Sequence, residues 1–143
     1  RFQHYYCVGS MKYLTLQTQH RSQMIALTDQ VQQIVAEEKV QDGQVLVYVP
    51  HTTAGVTINE NADPDVVIDF LTQLDQMVPW DQPFYRHAEG NSAAHVKASM
   101  MGSSQTVLIE GGKLVLGTWQ GIWFCEFDGP RTRQVIVKMS KSS

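Results

Sequence analysis

The sequence predicts an α+β fold, a compact single domain with a mainly antiparallel β-sheet and about three helices. Short segments alternate apolar with polar residues, which is typical of strands that bury one face. Other segments carry helix capping signals. The chain has 143 residues, of which 43% are hydrophobic and 17% charged, so it can bury a substantial core as one domain.

A strand and a helix are predicted near the N-terminus. Leu14 and Leu16 alternate with polar neighbours, as in a half-buried strand, and residues 22–27 are expected to pair with it. Thr28 is expected to cap the first helix. The apolar side of that helix carries Val31, Ile34 and Val35.

A buried strand and a well-marked helix follow. Residues 45–49 form a continuous apolar run, which indicates a buried strand, and the alternation resumes at residues 56–58. Asp63 is expected to cap a helix with Pro64 at its first position. Its apolar stripe comprises Val67, Phe70, Leu71, Leu74 and Val78.

The second half of the chain is predicted to hold one more helix and then strands. Asn91 or Ser92 caps the helix, which ends at Gly102. Gly111-Gly112 separates two apolar segments and is typical of a two-residue hairpin turn. Further strands are expected on both sides of Asp128-Gly129-Pro130.

The first ten residues are expected to lie outside the domain. Residues 1–10 lack the apolar region of a signal peptide and end in Gly9-Ser10 before Met11, which is typical of a vector-derived leader. Residues 11–143 then form a single domain. Its one cysteine, Cys125, allows no intramolecular disulfide, which fits a reducing cytoplasm.

Charge and hydropathy argue against two classes of partner. The net charge is −3 and the pI about 5.9, which disfavours a broad nucleic-acid-binding surface. No apolar run approaches the roughly 20 residues that cross a bilayer. We therefore expect neither nucleic acid nor membrane as a partner.

Three histidines lie beside turn or cap signals, where side chains can converge on a polar site. They are His51 after the buried strand, His87 in a loop, and His95 near the start of the third helix. Three imidazoles with a fourth position open are typical of a catalytic zinc site. A metal-free acid/base pair is the competing hypothesis.

Charged and polar residues elsewhere allow two interpretations each. Glu126, in a mostly apolar strand, is either paired with Arg131 or Arg133 or acts as a general base or as a partner to a histidine. The two arginines would bind phosphate if they share a face, or else form a solvated edge or a subunit contact. Thr52 offers its hydroxyl to an anion or to its own turn.

Together these residues resemble the YjbQ-like family, which is named for secondary thiamine-phosphate synthases. The resemblance covers residues 11–138. It rests on His51-Thr52-Thr53-Ala54, Asn59-Glu60 with Asp63-Pro64, His87-x-x-x-x-Asn91-x-x-x-His95, Leu116-Gly117-Thr118-Trp119-Gln120 and Glu126-x-Asp128-Gly129-Pro130-Arg131-x-Arg133.

The resemblance implies a homotrimer with polar sites near subunit boundaries and a divalent metal at His51, His87 and His95. It also implies a transferase of low activity, a thiamine phosphate synthase. That enzyme couples hydroxymethylpyrimidine diphosphate to thiazole phosphate and releases pyrophosphate. The histidines suit zinc, nickel or iron, whereas diphosphate chemistry favours Mg²⁺.

The residues assign provisional roles around this centre. We expect His95 and Glu126 to be catalytic. A small phosphorylated metabolite would be bound by Thr52, Asn91, Ser92, Arg131 and Arg133. Two alternatives stay open: a metal-dependent hydrolase of a small ester, amide or phosphate, and a non-catalytic trimer that binds a metabolite.

Overall fold

The computed structural model describes residues 5–142, which form two antiparallel sheets and three helices. The larger sheet has six strands, in the order β1 (Tyr5–Val8), β2 (Met11–Gln17), β9 (Thr132–Lys141), β4 (Gly43–Tyr48), β6 (Ser104–Glu110) and β7 (Lys113–Leu114). The smaller has three, in the order β3 (Gln23–Ala26), β8 (Gln120–Glu126) and β5 (Ala54–Glu60). The helices are α1 (Thr28–Glu37), α2 (Pro64–Met77) and α3 (Ser92–Met101). The predicted α+β class is confirmed.

Most of the core lies between the sheets and α1. Alternate residues of β2, β4 and β9 point inward, and the apolar side of α1 belongs to the same buried cluster. A second cluster lies under α2 and α3. There the buried Lys97 of α3 pairs with Asp75 of α2, which joins the two helices.

Local signals in the sequence are confirmed at a helix start and at a turn. The Asp63 side chain accepts the N–H of Asp65 at 2.9 Å, with Pro64 in the first turn. Gly111 and Gly112 both have positive φ, 57° and 76°, and join β6 to β7. Such values are those of a two-residue hairpin turn.

The pairing of β3 and the role of Thr28 differ from the prediction. β3, within residues 22–27, pairs with β8 rather than with β2, because both edges of β2 are taken by β1 and β9. Thr28 does not cap α1 but is its first residue. Its hydroxyl accepts the N–H of Ile122 at 2.9 Å, which fixes α1 to β8.

Two segments are also less buried than predicted. In β4, Val45 and Val47 are buried, but Leu46 and Tyr48 are 40% and 41% exposed on the outer face of the large sheet. In the predicted stripe of α2, only Leu74 is buried, together with Val78 at the C-cap. The continuous apolar run of β4 therefore belongs to a strand that is buried on one face only, and its outer face is uncovered in the single chain.

The expected leader falls partly outside the described residues. Residues 1–4, which include His4, lie outside them, whereas residues 5–8 form β1 and pair with β2. The division at residue 11 stays a prediction. Within the described part of the chain, none of the helices is long and apolar enough to span a membrane.

Candidate functional site

A cleft of about 450 Å³ that contains two histidines lies between the end of β4 and helix α3. We call it the histidine cleft; it is lined by His51, Thr52, Ala54, His95, Ala98, Ser99, Gly102 and Ser103. The structure thus brings together two of the predicted histidines and Thr52. The cleft exists because the C-terminal end of α3 packs directly on β5.

That close packing depends on Gly55. A Cβ at this position would lie 2.7 Å from the carbonyl oxygen of Gly102 and 3.0 Å from Cβ of Met101. The Val56 N–H donates to the same Gly102 oxygen at 3.1 Å. Gly55 therefore fixes the distance between β5 and the helix that carries His95.

The protonation pattern of His51 is set by a backbone group. The N–H of Gln134 in β9 donates to Nε2 of His51 at 3.0 Å, so that nitrogen carries no proton. Burial, and then the positive charge of Arg133, hold the pKa of His51 below its ordinary value. The neutral ring therefore carries its proton on Nδ1. No acceptor for this N–H lies among the described residues, and the atom is not fully buried.

Beneath the cleft lies a buried ion pair between Glu126 and Arg133. Nε and Nη2 of Arg133 donate to the two carboxylate oxygens at 2.8 and 2.5 Å. The Thr18 hydroxyl and the Asp128 N–H also donate to Glu126, each at 2.9 Å. Burial alone would raise the pKa of Glu126, but the hydrogen bonds from Arg133 and Asp128 and the Arg133 charge outweigh it and lower the pKa.

This arrangement favours the structural interpretation of both residues. Glu126 is fully buried and accepts four hydrogen bonds, so no free lone pair faces the cleft as a general base requires. Arg133 is 3% exposed, and its Nε and Nη2 are bound by Glu126 and Thr53. Arg131 precedes β9, is exposed and binds Asp128. The two arginines therefore lie in different environments, Arg131 exposed before β9 and Arg133 buried within it, and their predicted binding of phosphate stays a prediction.

Strand β9 instead holds the cleft loop at two adjacent positions. Nη2 of Arg133 donates to the hydroxyl of Thr53 at 2.8 Å and to its carbonyl at 3.3 Å. The next residue, Gln134, donates to His51. Arg133 thus acts as a positioning residue for the segment that carries His51 and Thr52.

His87 reaches the site from the side of a second cleft. Its ring packs edge-on against that of His95, with centroids 5.4 Å apart, and its Nε2 lies 3.4 Å from the exposed Glu89. We call the second cleft, about 380 Å³, the aromatic cleft; it is lined by Trp80, Asp81, Gln82, Pro83, Tyr85, His87 and Gly90. The His87–His95 contact is the boundary between the two clefts.

As placed, His51, His87 and His95 do not fit one metal ion. Nε2 of His51 is occupied by Gln134 and its Nδ1 carries the proton, so a metal would have to displace one of them. Among residues 5–142 no group of three or more His, Cys, Asp or Glu side chains is arranged to hold a metal. The predicted metal stays a prediction.

Asn91 and Ser92 lie where predicted, at the start of α3, but their partners differ. Asn91 makes no side-chain cap; its Nδ2 donates to Asp128 at 2.8 Å, and its Oδ1 is buried without a partner. Asp128 also accepts from Arg131 at 3.0 Å. The sequence places Asp128 in a turn and in the family motif but assigns it no role, since a carboxylate next to Gly129-Pro130 gives no local signal of this bridging position.

Comparison with known proteins identifies the family. The sequence model of the family described as UPF0047 protein YjbQ-like matches residues 12–142. The UPF0047 protein YugU of Bacillus subtilis is 54% identical over 129 residues, covering 90% of this chain and 98% of that protein. A YjbQ/UPF0047 family structure from Clostridium acetobutylicum is 56% identical with a TM-score of 0.87, covering 90% of this chain and 98% of that one. A hypothetical protein from Aeropyrum pernix, 34% identical, also has a TM-score of 0.87, with 92% and 98% covered. The chain belongs to the YjbQ-like UPF0047 family.

Proposed function

We propose that the histidine cleft is the active site of an enzyme for a small phosphorylated metabolite, with neutral His51 as hydrogen-bond donor and His95 as proton carrier. The observation that carries the proposal is the hydrogen bond from Gln134 N–H to Nε2 of His51. It leaves the Nδ1–H of a neutral imidazole as the group available to a ligand. A fixed neutral donor stabilises negative charge that develops on a substrate oxygen.

His95 is the complementary group in this proposal. It lines the same cleft, is half-buried, and makes no side-chain hydrogen bond to other described residues. Its nitrogens are therefore available for proton transfer to or from a substrate. The His51 ring is held as a donor and the His95 ring is free to exchange a proton. Together they make an acid/base pair in which neither imidazole has to bind a metal.

The phosphate would lie beside Thr52, whose hydroxyl lines the cleft. Backbone N–H groups at a helix start favour an anion, but the start of α3 at Asn91 and Ser92 lies outside the lining of this cleft, so those residues would contact only a ligand that extends beyond it. Exposed Arg131, which Asp128 holds near Asn91, adds a positive charge. Arg133 and Glu126 are positioning groups in this scheme.

The reaction to test first is the coupling of hydroxymethylpyrimidine diphosphate to thiazole phosphate with loss of pyrophosphate, with and without Mg²⁺. We expect weak turnover that is lost in His51→Gln and His95→Gln and retained in His20→Gln, an exposed histidine outside the cleft. Hydrolysis of phosphate esters that depends on zinc would favour the hydrolase instead. Binding without turnover of any phosphorylated compound would favour the metabolite-binding trimer.

We further propose a homotrimer located in the cytoplasm. The number three comes from the family resemblance. The outer face of the large sheet supports self-association, because it exposes Leu46, Tyr48 and Leu108, the last by 60%, and such apolar faces are typically covered by a subunit. Free, buried Cys125 supports a reducing compartment. Sedimentation equilibrium tests the trimer, and fractionation of the source cells tests the compartment.

A further inference from the structure

The aromatic cleft lies in the long connection between α2 and α3, which is folded. Residues 78–91 contain neither helix nor strand, and connections of this length are usually either functional or disordered. Two turns shape this one: the Tyr85 N–H donates to the carbonyl of Gln82 and the Gly90 N–H to that of His87, each at 3.1 Å. The second turn ends on Gly90, whose φ of 73° favours glycine. The loop therefore presents its side chains in a fixed arrangement, as binding loops do.

Both aromatic walls of the cleft are held in place by neighbouring residues. Trp80 packs on the second core cluster, and the guanidinium carbon of Arg21 lies 4.1 Å from the centroid of its ring. Phe84 holds Tyr85, because the two rings meet edge-on with centroids 5.2 Å apart. Trp80 and Tyr85 are both half-buried, so each keeps an accessible surface. The cleft thus offers a ligand two aromatic surfaces that need little ordering when it binds.

Polar groups that donate and accept hydrogen bonds lie between these walls. The Asp81 carboxylate accepts, whereas the Gln82 amide and the Tyr85 hydroxyl do both. Within the described part of the chain, these three side chains make no hydrogen bond or ion pair with other residues. Their hydrogen-bonding capacity is therefore available to a ligand that both donates and accepts.

The charges around the cleft favour a neutral ligand. Asp81 contributes one negative charge to the lining, and the guanidinium of Arg21 on Trp80 contributes one positive charge to its wall. The other charged residues of the connection, Arg86 and Glu89, also balance. With no net charge, the cleft has no field that would attract either an anion or a cation.

A sugar ring has the surfaces that these groups complement. One face of a pyranose carries C–H groups, which pack on the electron-rich face of an aromatic side chain. Its rim carries hydroxyls, each of which both donates and accepts. The volume of about 380 Å³ lies at the small end of the range for small-molecule sites, roughly 300–1,000 Å³, which leaves room for one or two rings.

We propose that the aromatic cleft is a binding site for a neutral pyranose sugar, separate from the histidine cleft. Trp80 and Tyr85 pack against the C–H face of the ring, and Asp81 and Gln82 bind neighbouring hydroxyls on its rim. His87, at the boundary with the histidine cleft, closes one end of the site. This inference goes beyond the proposed function and does not depend on it.

The test compares probes that carry the two halves of this chemistry together or apart, with the full chain. Methyl β-D-glucopyranoside and methyl β-D-galactopyranoside have both the ring and the hydroxyls. Sorbitol keeps the hydroxyls without a ring, and cyclohexanol keeps a ring with a single hydroxyl. In ¹H–¹⁵N NMR titrations, at least one glycoside should shift the indole N–H signal of Trp80 with a Kd of about 1 mM. Sorbitol and cyclohexanol should each bind at least about tenfold more weakly.

Variants then locate the sugar. Asp81→Ala should weaken glycoside binding about tenfold, because a charged acceptor is lost. Asp69→Ala, on an exposed residue of α2 outside the cleft, should leave it unchanged. Tyr85→Ala should weaken binding by a similar factor through the loss of one aromatic wall. Trp119→Phe, on a tryptophan that is 64% exposed outside the cleft, should not. Asp81 and Tyr85 belong to neither core cluster, so the variants should keep their fold, which thermal melts check.

Three results would overturn the proposal. They are no shift with either glycoside at tens of millimolar, equal affinity for the glycosides, sorbitol and cyclohexanol, and unaltered glycoside binding in both Asp81→Ala and Tyr85→Ala. Binding of tetramethylammonium but of no sugar would also overturn it, because the cleft would then be an aromatic site for cations.

Failure of the proposed function gives a different pattern. His51→Gln should abolish turnover of phosphorylated compounds and leave the affinity for the glycoside unchanged. A wild type that turns over none of these compounds but binds the glycoside would keep the sugar site and remove the enzyme. Turnover by a wild type that binds no glycoside would do the reverse.

Discussion

Arg133 and Glu126 form a buried two-point ion pair, with nitrogen–oxygen distances of 2.8 and 2.5 Å, directly beneath the loop that carries His51. Neither residue lines the cleft, but Nη2 of Arg133 also donates to the hydroxyl of Thr53 in the cleft loop. The pair therefore couples the core to the geometry of the cleft. Removing either partner leaves a buried charge alone, which is costly.

Arg133→Met should lower the free energy of unfolding by roughly 3–5 kcal/mol, because Glu126 would remain buried without its counterion. Arg131→Met is the matched control. Arg131 is exposed and pairs with Asp128, so its loss should cost no more than about 1 kcal/mol. Urea unfolding measures both, and equal losses in the two variants would contradict the structural role assigned to Arg133.

The tautomer of His51 can be observed directly. We expect ¹⁵N NMR of selectively labelled protein above pH 7 to show a protonated Nδ1 and an unprotonated Nε2, because Gln134 donates to Nε2. His95, which lacks such a bond, should show exchange between the two forms. A protonated Nε2 on His51 would remove the basis of its donor role.

Stability should fall on mild acidification because of His51. Its pKa in the folded protein lies below the ordinary 6.5, so the unfolded chain binds the proton more tightly and stability is lost as pH falls from about 6.5 through the folded value. His51→Gln should flatten the unfolding free energy in that range, while His20→Gln should not. The lowered pKa of Glu126 acts only at more acidic pH, below its ordinary 4.5, so the two effects separate. An unchanged slope in His51→Gln would contradict the assignment.

Gly55→Ala should destabilise the protein by about 1–3 kcal/mol through overpacking, since the new methyl would meet the Gly102 carbonyl. Because α3 must then move, we also expect weaker binding of phosphate compounds in the histidine cleft. Gly117→Ala is the control: its nearest neighbour is the flexible end of Gln120 at 3.3 Å. Thermal melts and a phosphate titration report the two effects. A Gly55→Ala variant with unchanged stability and normal binding would mean that β5 and the end of α3 do not pack as closely as the distances indicate.

Metal content distinguishes the acid/base pair from the predicted metal centre. Protein purified without chelator should carry well under one zinc, nickel or iron per chain, and chelator should leave its melting temperature unchanged. His51→Ala, His87→Ala and His95→Ala are compared in the same assay. One metal per wild-type chain that is lost in all three variants would restore the three-histidine site.

What could be predicted from the sequence was mostly local. The Asp63 cap and the Gly111-Gly112 turn depend on neighbouring residues alone, and both are confirmed. The partner of β3 was predicted wrongly because strand pairing depends on which edges remain free. Sequence spacing also placed Arg131 and Arg133 on one face, but only the second lies in a strand and in the core.

In the candidate site, too, the features set by neighbouring residues could be predicted and the contacts between distant residues could not. His51, Thr52 and His95 were identified from their positions at element ends, and they do share a cleft. The donor to His51 could not be identified, because it is a backbone N–H 83 residues away and no residue type marks it. Asp128 was missed for a similar reason, since its partner Asn91 is 37 residues distant.

Strand β9 comes after every other described element along the chain, yet it lies in the middle of the large sheet between β2 and β4 and supplies both Arg133 and Gln134 to the cleft loop. During synthesis the N-terminal strands leave the ribosome long before it does. The β2–β9 pairing joins Gln17 to Thr132, a separation that makes sheet closure a late event. The nascent chain therefore cannot hold His51 in the tautomer with an unprotonated Nε2 until β9 has emerged and docked.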